Sequence, residues 1–316
     1  MSFGRPYIMK TTGCIHDGWL VLRQPKIDAD YLYHVLGSDL VFSQFDRLAA
    51  GSTVRNLNIG LAKSVEIPYP PPGEQIRIVG ILDQALNGVA RAKANTEKNL
   101  QNARALFESH LNAIFTRRDK GWKESTIGEH IRFIDYRGKT PEKTANGLRL
   151  ITAKNVKMGY LHEAPMEFVA PETYARWMTR GIPRLGDVLF TTEAPLANVA
   201  QLDTEEKVVF AQRIIIMQPD ASKLDGTFLK YMLLSQLVQQ RIRTKGTGAT
   251  VQGIKARLLK TIEISFPPFD HQRQIAAELD SLRESIQRLA SVYQQKLEAL
   301  DDLKKSLLHE AFSGRL

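Results

Sequence analysis

In residues 75–115 the apolar positions Ile78, Leu82, Ala85, Val89 and Ala92 step by four and three, slip near Leu100, and resume at Ala103, Phe107 and Ile114. Residues 272–312 repeat the pattern with Ile275, Leu279, Leu282, Ile286, Leu289 and Tyr293, then Leu297, Leu300, Leu303 and Leu307. A narrow stripe held this long is the seam of a coiled coil rather than the stripe of a globular surface helix. Each stretch predicts a rod of about 60 Å at the helical rise of ~1.5 Å per residue. Lys93, Asn95, Glu97, Arg283, Gln287 and Lys296 occupy the opposite faces. Two such helices most simply pack on each other, through Ile78, Leu82, Val89, Phe107, Ile275, Leu279, Ile286 and Leu300.

Shorter patterns fill the rest. Tyr7-Ile8-Met9 and Trp19 to Arg23 read as strands, with Gly13 and Asp17-Gly18 as turn signals. Residues 28–50 have helical spacing, with Asp28 or Asp30 as cap. Gly51 to Asn56 is a polar turn, and Ser64-Val-Glu-Ile-Pro68 a short strand closed by Pro70-Pro-Pro-Gly. Beyond the first long helix, Thr126 to Ile131 starts a short helix or strand, and Phe133 to Pro141 is a loop. Strands are predicted near Leu148–Ile151, after Gly186, at Val208-Val-Phe210 and at Ile214–Met217; helices are predicted at Glu172–Met178 and Phe228–Gln240.

The chain also states one passage twice. Gly51 to Asp83 aligns with Gly248 to Asp280 without a gap, at an offset of 197 residues. The register extends upstream, where Asp28-Ala-Asp-Tyr-Leu matches Asp225-Gly-Thr-Phe-Leu, and downstream, where Phe115 falls on Phe312. A repeat of about 90 residues is a domain-sized duplication rather than a solenoid. It predicts an α+β chain with a pseudo-twofold internal repeat. Residues 1–72 form a partial first domain, 73–118 the first long helix, 119–268 a complete mixed α/β domain, and 269–316 the second long helix. Antiparallel packing of the helices would place the globular parts at opposite ends.

Composition narrows the partners. A formal net charge of +9 in 316 residues points to a polyanion, first of all nucleic acid. Cys14 is the only cysteine, which excludes an intrachain disulfide and a cysteine-based zinc site. No apolar run approaches the roughly 20 residues of a membrane span, and MSFGRPYIMK lacks the apolar region of a signal peptide, so a cytoplasmic location is expected. No catalytic constellation is evident. Pro219-Asp220 with Lys223 is faintly similar to a nuclease fragment, but a loop after a strand explains it far better. Arg137-Gly-Lys-Thr140 lacks the upstream glycine of a phosphate loop and suits DNA contact better. Gly246-Thr-Gly-Ala-Thr250 follows the basic Arg241, Arg243 and Lys245, and it recurs as Ala49-Ala-Gly-Ser-Thr53 before Arg55 and Asn56. It is either a flexible turn or a loop that lets backbone approach a phosphate.

Tyr136-Arg-Gly-Lys-Thr-Pro141, Ile151-Thr-Ala-Lys-Asn-Val156, Gly186-Asp-Val-Leu-Phe190 and Glu193-Ala-Pro-Leu-Ala-Asn198, in that order, resemble the DNA-specificity subunits of type I restriction–modification enzymes. So do Gly121-Trp-Lys123, the proline-then-glutamine starts of both long helices, and the ending Leu307 to Leu316. The resemblance implies two target-recognition domains held apart by two antiparallel helices, each domain reading half of a split double-stranded DNA site. It further implies a non-catalytic subunit with no cofactor of its own. Methyltransferase (modification) subunits dock on it, motor–nuclease (restriction) subunits join them, and S-adenosylmethionine, ATP and magnesium belong to those partners. The front departs from the pattern, because a complete first domain should match 119–268 in length. A shortened form, a natural fragment, or a half supplied by a second specificity chain would each explain it.

On this basis the expected DNA-binding residues are Arg137, Lys139, Thr140, Lys154, Asn155, Thr192, Gln212, Arg213, Lys245, Thr247, Thr250 and Gln252, with Arg55 and Asn56 from the first copy. Arg, Lys, Asn and Gln suit base edges in the major groove, each good bidentate contact discriminating by about 1–3 kcal/mol. A coiled-coil interaction scaffold is the rival, but it leaves a basic domain of about 150 residues with polar loops unexplained. A DNA-modifying enzyme is a third reading.

Overall fold

The computed structural model describes residues 3–16, 18–49, 59–117, 121–138, 140–211, 213–248 and 252–316. Two compact units emerge: one comprises 1–102 with 288–316, the other 103–287. Helices α1 (Ala29–Leu36), α2 (Asp39–Leu48) and α3 (Ile59–Ala62) precede the long α4 (Pro72–Thr116). After it come β1 (Lys123–Thr126), α5 (Ile127–His130), β2 (Ile131–Asp135), β3 (Leu148–Ile151), β4 (Glu167–Val169) and α6 (Thr173–Trp177). Then follow β5 (Val188–Thr191), β6 (Val199–Gln201), β7 (Val209–Phe210), β8 (Ile214–Pro219), α7 (Gly226–Leu234), α8 (Gln236–Lys245), α9 (Ala256–Lys260), β9 (Glu263–Phe266) and the long α10 (Phe269–Phe312).

The second unit holds the sheets. Its main sheet has the order β2-β8-β5-β6 and is antiparallel throughout, with Ile134 opposite Ile216 and Leu189 opposite Ile216 on the other side. A three-stranded sheet, β4-β3-β7, pairs β3 and β7 in parallel. A two-stranded ribbon joins β1 to β9. The run Ile214–Met217 is apolar at every position because both faces of β8 are covered. Ile215 and Met217 join Val188 and Phe190 in a core under α7, α8 and α9. Ile214 and Ile216 join Leu189 and the β3–β7 residues in a second core.

Each long helix is divided between the units. In the second unit, Leu111 and Phe115 of α4 share a core with Ile275, Ala276 and Leu279 of α10. In the first, Ile78 and Leu82 of α4 share a core with Leu308, Ala311 and Phe312 of α10 and with Tyr31, Val35 and Phe45.

Residues 197 positions apart make matching hydrogen bonds. The Asp28 side chain caps α1 by accepting from Tyr31 N (2.9 Å), and Asp225 caps α7 by accepting from Phe228 N (2.8 Å). Gln75 accepts from Asp28 N (2.8 Å) and donates to Pro70 O (2.7 Å). Gln272 accepts from Asp225 N (2.9 Å) and donates to Pro267 O and Lys223 O (both 2.9 Å). In each unit a buried glutamine thus ties the start of a long helix to the cap of a short one.

A serine breaks each of these two predicted helices. Ser38 Oγ donates to Val35 O and Ser235 Oγ to Met232 O, both at 2.6 Å. The hydroxyl takes a carbonyl at the helix end, the chain turns, and α2 and α8 start anew. Residues 28–50 and 228–240 are therefore each two helices. The apolar spacing does not reveal this, because it runs through the break.

Other expectations are corrected. Residues 7–9 and 19–23 form no strand; Tyr7, Trp19, Leu20, Val21 and Leu22 are exposed, without a sheet to join among the described residues. Residues 64–68 are likewise not a strand. The matching β9 pairs with β1, whereas Glu66 exchanges backbone bonds with the Gln44 amide instead. The predicted loop from Phe133 begins inside β2, where Phe133, Ile134 and Asp135 pair with β8. The Gly51–Asn56 turn lies outside the described residues.

A candidate nucleic-acid interface

Arg137, Thr192, Arg213 and Thr247 come together around one cleft of about 500 Å³ in the second unit. The cleft is assembled from the loop after β2, the loop after β5, the start of β8, and the segment before α9. Thr247 and Gly253 exchange backbone bonds (2.8 and 2.9 Å), and Ile254 N donates to Thr192 O (2.9 Å), which fixes the far wall. Gly138, Glu193 and Lys255 also line it; neither Glu193 nor Lys255 is among the expected DNA-binding residues, and a carboxylate repels a polyanion.

The cationic groups are held differently. Arg137 makes a two-pronged contact with Asp135, Nε to Oδ1 at 2.8 Å and Nη2 to Oδ2 at 2.6 Å. Burial alone would push the Asp135 carboxyl up, but the hydrogen bonds and charge of Arg137 outweigh it and hold the pKa below the ordinary carboxylate range. Asp135 therefore occupies one edge of the Arg137 fork. Arg213 forms an ion pair with Glu193, Nε lying 3.1 Å from Oε1, with both side chains near half exposure (48 % and 47 %). The Glu193 charge also acts on Arg137.

Arg213 has φ +64°. For a residue other than glycine this left-handed conformation costs about 1–2 kcal/mol. An exposed ion pair returns only about 0–1 kcal/mol. The pair with Glu193 does not by itself account for the conformation. Thr192 stabilises it: its N–H (2.8 Å) and its hydroxyl (3.3 Å) both donate to Arg213 O. Thr192 is buried, so it positions Arg213 rather than presenting a contact of its own.

The remaining expected residues are scattered. Asn155 is wholly buried: its Oδ1 accepts from Thr152 N (3.0 Å), and its Nδ2 donates to His162 O, Glu163 O and Pro165 O. With both ends of the amide engaged, it has nothing to offer a base edge. Lys154 is exposed and 3.9 Å from Glu167. Lys245 Nζ folds back on Thr261, donating to its carbonyl (2.8 Å) and hydroxyl (2.9 Å). Thr140 and Gln252 are exposed. Lys139, Gln212, Thr250, Arg55 and Asn56 lie outside the described residues. Among the helix residues, Ile78, Leu82, Ile275 and Leu279 are buried, and Val89, Phe107, Ile286 and Leu300 are half-buried. Asp220 closes a turn by accepting from Ser222 N (3.1 Å) and Oγ (2.7 Å).

A family model described as the type I restriction modification DNA specificity domain matches residues 120–299, which include the whole cleft and the start of α10. The chain belongs to this family. It is similar to the MjaVIII specificity subunit of Methanocaldococcus jannaschii, at 22% identity over 96% of this chain and 74% of that one. It is also similar to the EcoKI specificity subunit of Escherichia coli, at 20% over 94% and 68%. Among solved structures, a chain determined in work on assembly and conformational transition of the type I R-M system superposes with a TM-score of 0.76, at 20% identity over 92% of this chain and 72% of that one. The HsdS subunit of Thermoanaerobacter tengcongensis superposes at 0.55, with 22% identity over 91% and 70%. A specificity subunit is the non-catalytic, DNA-recognising part of its enzyme, and that role is this chain's. Among the described residues no helix is long and apolar enough to cross a membrane.

Proposed function

We propose that residues 119–268 read one half-site of a bipartite double-stranded DNA target, while α4 and α10 pair antiparallel as a ruler and as a platform for modification subunits. The observation that carries this reading is the doubled hydrogen-bond set around Gln75 and Gln272. It builds two equivalent docking points, one at the start of each long helix, and so a natural place for two recognition domains. Antiparallel pairing is supported by contacts that run in opposite directions along the two helices. Leu82 shares a core with Phe312, Lys93 Nζ bonds Asp301 Oδ1 at 2.7 Å, His110 Nε2 bonds Glu278 Oε1 at 2.7 Å, and Phe115 shares a core with Ile275.

In this reading the net charge of +9 supplies a salt-sensitive, sequence-independent attraction, and the cleft adds base discrimination. The chain works in the cytoplasm. S-adenosylmethionine, ATP and magnesium are used by the modification and restriction partners. Lengthening or shortening both long helices by one heptad tests the ruler: the preferred distance between half-sites should change, and an unchanged distance would defeat it.

A second specificity chain or fragment completes the first domain. Exposure of Trp19 (50%), Val21 (53%) and Leu22 (59%) favours this, because so contiguous an apolar row calls for cover. Light scattering of the purified chain, alone and with such a fragment, checks it. A stoichiometric complex that shields Trp19 fluorescence is expected; no association would rule it out.

A further inference from the structure

The cleft carries more than a general affinity for DNA. A site built for phosphate alone would be all donors, yet a carboxylate stands among its cations. Glu193 Oε1 lies 3.1 Å from Arg213 Nε as an ion pair, and among the described residues neither the Arg213 side chain nor the Glu193 carboxylate has a hydrogen-bond partner. Two parallel donors beside one acceptor is the complement of a G·C pair seen from the major groove, where guanine shows the N7 and O6 acceptors and cytosine the N4 amine donor. An A·T pair offers one acceptor and one donor on adenine, and thymine adds an acceptor that Glu193 would repel.

We propose that Arg213 and Glu193 read one G·C base pair of the target through the major groove. The Arg213 fork donates to guanine N7 and O6. Glu193, ion-paired beside Nε, keeps the guanidinium in place by charge and accepts from the cytosine amine through Oε2. The scaffold holds both residues at one point. Thr192 fixes the left-handed Arg213 backbone, and Gly253 lets the opposite strand approach Glu193, since a Cβ there would lie 3.3 Å from both Glu193 Cβ and Thr192 O. Lys255 flanks the cleft and meets phosphate, and Arg137, one edge held by Asp135, stiffens the other wall.

The proposal rests on the half-site reading above, and the test separates the two. The chain is assembled with its co-encoded modification subunit and presented with duplexes randomised across the target; binding and methylation are sequenced for the wild type, Glu193→Gln and Arg213→Gln. Loss of about 5- to 150-fold in discrimination at a single G·C position, the same one for both variants, is expected. The other positions should keep their preference, and the melting curves should stay unchanged. If Arg213→Gln weakens all sequences alike, or if neither variant moves any position, the base-pair assignment falls while the half-site reading stands. A wild-type complex without any sequence preference would remove both.

Discussion

Replacing Gln272 by alanine removes three hydrogen bonds from one fully buried side chain: the bond from Asp225 N, and those to Lys223 O and Pro267 O, each at 2.9 Å. At about 1 kcal/mol per bond, the loss is about 3 kcal/mol. The unit concerned spans residues 103–287, a size for which each kcal/mol moves the melting temperature by roughly 2–4 °C, so a shift of about 6–12 °C is expected. Gln75→Ala removes two bonds, to Asp28 N and Pro70 O, and should cost about 2 kcal/mol in the other unit. Calorimetry of the two variants therefore predicts parallel but unequal losses, each in its own transition. Gln272→Glu sharpens the test. It keeps the size but turns an acceptor-only carboxylate towards two carbonyls, and it should destabilise more than alanine does. A Gln272→Ala shift below about 1 °C, or a glutamate variant as stable as the wild type, would refute the view that these bonds fasten the long helices to their domains.

Asn155→Ala should cost about 3 kcal/mol in urea unfolding, because its engaged amide is lost from a fully buried site, while the base preference of the surviving complex stays as it was. Gly147 has φ +131°, and a Cβ there would sit 2.2 Å from Val169 O, so Gly147→Ala should push β3 from β4 and lower stability by about 3 kcal/mol in the same assay. Burial raises the Asp187 pKa, against the opposing hydrogen bonds from Arg184 N and Gln218 Nε2. The stability this group contributes is present below the ordinary carboxyl pKa and is lost as pH rises through the raised one. Asp187→Asn should therefore be at least as stable as the wild type at pH 8 and lose that advantage by about pH 4. A variant less stable at every pH would show the charge to be needed.

The helical period is legible in the sequence. The seam over residues 75–115 predicts a helix found at Pro72–Thr116, and the one over 272–312 a helix found at Phe269–Phe312, because a helical period recurs through each despite the slip near Leu100. The apolar run at 214–217 marks a strand. What pattern could not show was decided by partners far along the chain. Residues 19–23 are apolar enough for a strand, but a strand exists only beside another. The three-residue strands β4 and β6 are too short to have a period. Asn155 and Thr192 have polar chemistry suited to DNA, but burial makes one a knot in the turn after β3 and the other a brace for Arg213. Glu193 is not legible as a site residue in the sequence, because a lone carboxylate repels DNA. Its meaning depends on the guanidinium 3.1 Å away.

The most direct test of the account is to sequence the methylated positions in DNA modified by this chain together with its modification subunit. The account predicts methylation confined to one motif, with at least one fixed half-site that changes when residues 119–268 are exchanged for those of another specificity subunit. Methylation without a motif, or a motif indifferent to that exchange, would contradict it.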